Sequence, residues 1–73
     1  MEMTIEIYIS YFIGETCVEY TVEGYASNIK EAQEIADDMV QIEMNVAYNN
    51  GVMMETFYYE VDFTSTEEMA EAA

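Results

Sequence analysis

"VQIEMNVAYNNG", residues 40–51, decides how many strands this chain has. Read with a period of two, Ile42, Met44, Val46 and Tyr48 fall on one face and Gln41, Glu43, Asn45 and Ala47 on the other, the pattern of a half-buried strand. Read with a period of 3.6, the same residues continue a helical stripe that runs up to Val40, but Glu43 then lies in the middle of that stripe. Asn50-Gly51 favours the strand, because Asn-Gly is the strongest short signal for a two-residue type I′ hairpin. The lack of any Gly or Pro between Val40 and Gln41 favours the helix. We adopt the strand, residues 41–48, as the expectation. Its hairpin partner is "VMMETFYYEVDF", residues 52–63, with Met53, Phe57, Tyr59, Val61 and Phe63 inward. The Asn50-Gly51 loop then sets Tyr48 against Met53, Met44 against Phe57 and Ile42 against Tyr59.

Upstream, "SNIKEAQEIADDMV" has a helical period, and a helix is expected over residues 28–40. Asn28 followed by Glu31 resembles a capping box, with Ser27 as the alternative cap. Ile29, Ala32, Ile35, Ala36, Met39 and Val40 form the apolar stripe; Glu31, Glu34, Asp37 and Asp38 lie on the solvent side.

The chain opens with an alternating strand, residues 2–13. Met3, Ile5, Ile7, Ile9, Tyr11 and Ile13 face one way, and Glu2, Thr4, Glu6, Tyr8, Ser10 and Phe12 the other. Gly14-Glu15 suits a type II′ loop into a second strand, residues 16–23. That loop sets Ile13 against Thr16, Tyr11 against Val18, Ile9 against Tyr20 and Ile7 against Val22, so loop and pattern agree on one register. It also sets Glu6 against Glu23 and Ser10 against Glu19. The expected fold is therefore α+β, a single domain over residues 1–73: a four-stranded antiparallel sheet with one helix packed on one face, in ββαββ order. The tail, residues 65–73, is expected either to form a short helical turn capped by Ser65 or Thr66 or to fray.

Composition narrows the function. Of 73 residues, 16 are acidic and one, Lys30, is basic, for a net charge of −15. So large a charge opposes folding by self-repulsion, which salt relieves. It would also repel nucleic acid and anionic membranes, so neither is an expected direct partner. The N-terminal stretch lacks the basic start and apolar run of a signal peptide, and no stretch approaches the ~20 apolar residues of a membrane span. Cys17, the single cysteine, excludes an internal disulfide; a reducing, cytoplasmic setting is expected, the bacterial host cytoplasm if the chain is phage-encoded.

Catalysis is poorly supplied. The chain has no His to act as a base near neutral pH, and Cys17 falls on the outer sheet face among acidic neighbours. "DDMVQIE" lacks the Gly and ligand spacing of a calcium loop. No catalytic residue, cofactor site or metal site is expected, and the protein is read as non-enzymatic.

The charge itself is the remaining signal. The sheet face away from the helix is expected to carry Glu2, Glu6, Glu15, Glu19, Glu23, Glu43, Glu60 and Asp62, with Tyr8 and Tyr58 among them. Tyr11, Tyr20, Tyr48 and Tyr59 are expected in the core. Glu6 opposite Glu23 destabilises a hairpin, and Glu34 with Asp38 repeats the problem at i, i+4 on the helix. Ordinary solubility requires a net charge of only about 2–8, of mixed sign. Three explanations remain: an ordinary solvated face, adaptation of a halophilic structural protein to high salt, or a binding surface. The last names Glu6, Glu19, Glu23, Glu60 and Asp62 on the sheet, with Tyr8 and Tyr58 as aromatic anchors. Glu31, Glu34, Asp37 and Asp38 would extend the contact or form a separate acidic edge. The partner would be a basic nucleic-acid-binding protein or complex, met by a monomer or small homo-oligomer.

Size, acidity and the hairpins around "TVEGYASNIKEAQEIADDMV" resemble the DNA-mimic class of bacteriophage anti-defence proteins, small anti-CRISPR proteins in particular. The likeness covers residues 2–63 and carries no diagnostic motif. It implies a stoichiometric inhibitor that occupies the DNA-binding groove of a CRISPR interference complex. An immunity or antitoxin protein that neutralises a basic toxin, such as a nuclease, uses the same electrostatics and is the alternative.

Overall fold

The computed structural model describes residues 2–65. The elements are strand β1 (Met3–Ile13), strand β2 (Thr16–Ala26), helix α1 (Ile29–Asn49), a short 3-10 turn (Met54–Thr56) and strand β3 (Tyr58–Ser65). The strands form one antiparallel sheet in the order β2-β1-β3. The class is α+β, with three strands among the described residues rather than the expected four.

The first hairpin has the expected register throughout, from Ile13↔Thr16 to Met3↔Ala26. Gly14 has φ +61° and, among the described residues, no non-glycine has positive φ, Glu15 included, the sign pattern of a type II′ loop. β2 runs three residues past the expected end, through Gly24 to Ala26.

The correction concerns residues 41–48, which continue α1 rather than forming a strand. Ala36, Val40 and Ala47 are buried and Met44 is half-buried, so the helical stripe runs unbroken, while Ile42, Val46 and Tyr48 stand exposed. Gln41, Glu43, Met44 and Ala47 are good helix formers, which reinforces that pattern. Asn50-Gly51 ends the helix instead of turning a hairpin. Val52 N–H donates to Ala47 C=O at 3.1 Å and Gly51 N–H to Tyr48 C=O at 3.2 Å, a Schellman motif with Asn50 as C-cap. Gly51 takes φ +79°, and Val52 and Ala47, the two positions whose apolar contact usually accompanies this cap, are both buried. Gly51→Ala is expected to cost about 1–2 kcal/mol through the left-handed backbone alone, checked by urea denaturation. Open space surrounds the position where its Cβ would stand, so no clash adds to that figure.

With no fourth strand, residues 52–63 lose their expected partner. β3 instead pairs with β1, Ile9↔Tyr59, Ile7↔Val61 and Ile5↔Phe63. This makes β1 the central strand. Its Ile5, Ile7 and Ile9 are fully buried under α1, where the small side chains of Ala32 and Ala36 allow close approach. Phe57, Val61 and Phe63 pack on this core as expected, and Phe57 stacks on Tyr11 at 6.0 Å. Tyr48 and Met53, expected inward, are exposed, as is Tyr59 at the margin of the inner face. Ser65 closes β3, and the rest of the expected tail turn lies outside the described residues.

At its start α1 is capped by Asn28, whose Oδ1 accepts from Glu31 N–H at 2.9 Å; Glu31 Oε1 in turn accepts from Ser27 N–H at 3.3 Å. Further along, Glu43 tilts toward β2 and accepts from the Tyr20 hydroxyl at 2.5 Å. The helix thus tolerates a carboxylate in its apolar stripe because a partly buried phenol answers it. Burial first, then this hydrogen bond and the Glu43 charge, push the Tyr20 hydroxyl well above the usual tyrosine range. Tyr20 therefore stays protonated in the folded chain where an unfolded tyrosine, near pKa ~10, ionises. Its contribution is complete below about pH 10 and is lost as pH climbs through the raised folded value. Tyr20→Phe is expected to flatten the alkaline fall in stability above about pH 10, followed by denaturant melts against pH, while losing about 1 kcal/mol at neutral pH.

Candidate functional site

The helix covers one face of the sheet, and no element of the described residues covers the other. The two registers fix its side chains in rows. Glu23, Glu6 and Asp62 stand side by side across β2, β1 and β3. The next row is Thr21, Tyr8 and Glu60, and the one after is Glu19, Ser10 and Tyr58. With strands ~4.8 Å apart, the carboxylate row spans about 10 Å. The three acids are aligned rather than convergent, and among the described residues no set of His, Cys, Asp or Glu is placed to hold a metal ion. Nor is there a pocket on this face.

Tyr8 and Tyr58 meet edge to face between these rows, with centroids 6.3 Å apart and planes at 68°. The Tyr58 hydroxyl donates to Glu60. That bond first, with partial desolvation and the Glu60 charge behind it, raises the Tyr58 pKa; desolvation first and then Glu19 raise that of Tyr8. Both phenols therefore remain neutral hydrogen-bond donors among the anions at physiological pH.

The structure thus brings together seven of the named residues, Glu6, Glu19, Glu23, Glu60, Asp62, Tyr8 and Tyr58, on one face. It does not bring the helical acids to them. Glu34, Asp37 and Asp38 are exposed on α1, on the far side of the sheet, and form a separate acidic edge. Glu31 is half-buried and engaged in the N-terminal cap. Glu43, expected on the outer face, lies on α1 against Tyr20. Cys17 is exposed on the outer face near the loop, its Sγ 3.9 Å from Glu19 Oε1. Lys30, the chain's single basic residue, sits on α1, so no Lys or Arg lies on the sheet.

No protein-family model, curated protein or solved structure matches this chain. The surface must be read from its own chemistry. Exposed apolar side chains on α1, Ile42 and Val46, belong in that reading as well. They escaped the sequence analysis because the strand assignment put them in the core; the signal that finds them is the 3.6 period carried past Val40. No helix of the described residues is long and apolar enough to cross a membrane.

Proposed function

We propose that the bare sheet face is a polyanion mimic, and that the protein is a non-enzymatic inhibitor that blocks a basic DNA-binding groove, that of a CRISPR interference complex being the expected target. The supporting observation is the row Glu23–Glu6–Asp62, three carboxylates held in register on hydrogen-bonded strands with no cation beside them. Each like-charge neighbour costs part of ~0.2–1 kcal/mol, a burden that solubility alone does not explain. A groove lined with Lys and Arg is built to neutralise closely spaced phosphates, and a rigid sheet of carboxylates offers it the same charge at little ordering cost. The two neutral tyrosines supply aromatic area on which guanidinium groups stack.

The test is displacement. Labelled DNA is bound to a CRISPR interference complex and, in a parallel arm, to a basic nuclease, and the protein is titrated into each at low salt. Stoichiometric release of DNA from the interference complex, weakening as salt rises, is the expected result. Release from the nuclease alone would instead indicate an immunity protein. DNA retained in both arms at low salt would overturn the mimic.

A further inference from the structure

We infer that β2 is a docking edge for an extended segment of a partner protein, one that alternates Lys or Arg with apolar residues and adds to the sheet as a fourth strand. Among the described residues β2 is bonded on one side only, to β1, over eleven residues with an unbroken register. It carries no Pro, Lys or bulge, the usual devices that blunt an edge. Because Ile13 and Thr16 close the two-residue loop, the alternation of the antiparallel ladder turns the main-chain groups of Cys17, Glu19, Thr21, Glu23 and Tyr25 away from β1. These are the same residues whose side chains lie on the bare acidic face.

Apart from the Tyr20–Glu43 hydrogen bond, the inner side of this edge is apolar. Met39 lies against Gly24, so close that a Cβ built there would stand 2.9 Å from its sulfur. This places the β2 side of α1. On a helix, Ile35, Ile42 and Val46 share that side with Met39, at spacings of four, three and seven residues. Ile42 is 58% and Val46 49% exposed, which leaves apolar surface next to the edge with none of the described residues upon it.

The two sides together select the occupant. An added strand places alternate side chains beside Glu19 and Glu23 on the outer face, where cross-strand neighbours approach to ~5 Å and opposite charges are favoured. The intervening side chains fall toward Val22, Ile42 and Val46, where apolar groups are favoured. A second copy of β2 fits badly: antiparallel pairing centred on Thr21 sets Glu19 of one copy against Glu23 of the other, and both copies carry −15. A basic, alternating strand satisfies both sides, and its main chain satisfies the edge.

The test uses amide hydrogen exchange on the full chain with a synthetic peptide, Lys-Val-Lys-Ile-Arg-Val-Lys, and a control of the same composition with its charges in one block. The alternating peptide is expected to slow exchange at Glu19, Thr21 and Glu23 by at least about tenfold relative to the block control. Ile42→Glu, at an exposed site on α1 away from the acidic sheet face, is expected to weaken binding while leaving DNA displacement intact, and Thr21→Pro, which removes an outward N–H from an edge strand, to abolish the added protection. Should Thr21→Pro fail to fold, Ile42→Glu carries the test alone. Equal effects of both peptides, without protection along β2, would show attraction to a charged surface only and overturn the inference, whatever the outcome of the displacement assay.

Discussion

Ile7→Ala is expected to remove about 2–5 kcal/mol of folding stability, the range for truncating a fully buried aliphatic side chain. Ile7 is completely buried at the centre of the molecule, between Val22 on β2 and Val61 on β3 and beneath α1. A chain of 73 residues has a total stability of roughly 4–11 kcal/mol by the usual per-residue range. The charge of −15 pulls this chain toward the lower end at low salt. The variant should therefore be marginally stable at best in dilute buffer and gain stability as salt screens the carboxylates. Circular dichroism melts across salt concentration check this, with Ile7→Val, expected to cost about 0.5–1.5 kcal/mol, as the control. A loss below 1 kcal/mol for Ile7→Ala would mean that the sheet and helix do not close over β1 as described.

Glu6→Lys should move stability and binding in opposite directions. Glu6 stands between Glu23 and Asp62, so reversing it converts three like charges into two opposed pairs. Each exposed pair is worth only a fraction of a kcal/mol, and the sum is about 0.5–1 kcal/mol in favour of the fold. For a domain of this size that raises Tm by about 2–8 °C at low salt, with the gain shrinking as salt is added. Against a basic groove the same change places a cation at the middle of the contact, and the displacement midpoint should rise at least tenfold, or about 1.4 kcal/mol. A destabilised Glu6→Lys would show that the carboxylate row serves the fold. A stabilised variant that displaces DNA as well as the parent would place the binding surface elsewhere.

What was legible in the sequence follows where local signals agreed. In the first hairpin, the two-residue loop at Gly14-Glu15 and the alternation of both strands independently demand one register, and every cross-strand pair falls where they put it. The acidic row became visible through that register, since Glu6 and Glu23 meet only if Ile13 meets Thr16. Residues 40–51 carry ambiguous signals instead. Asn-Gly suits a type I′ turn and a helix C-terminus equally, because both require positive φ. A run such as Ile42, Met44, Val46, Tyr48 alternates by chance when a helix has apolar side chains beyond its buried stripe. The choice was made by tertiary packing: Ala47 and Val52 are both buried at the cap, and Glu43 finds the Tyr20 hydroxyl. The third member of the row, Asp62, stood on the expected outer face, but its place beside Glu6 depends on β3 pairing with β1, a contact between the two ends of the described chain that no local pattern announces.

That long-range pairing has a consequence for how the protein is made. β1 belongs both to the most local contact of the fold, the hairpin with β2, and to the most distant, with β3. A hairpin forms in about 1–10 µs, whereas a ribosome adds roughly 5–20 residues per second, so seconds separate the emergence of Ala26 from that of Ser65. For that interval the nascent hairpin has Ile5, Ile7 and Ile9 on one side and Glu6, Glu19 and Glu23 on the other. Mutual repulsion between the glutamates of neighbouring nascent chains would keep such half-built sheets apart until β3 arrives, so the surface assigned here to deceiving a partner also guards the newborn chain against its own kind.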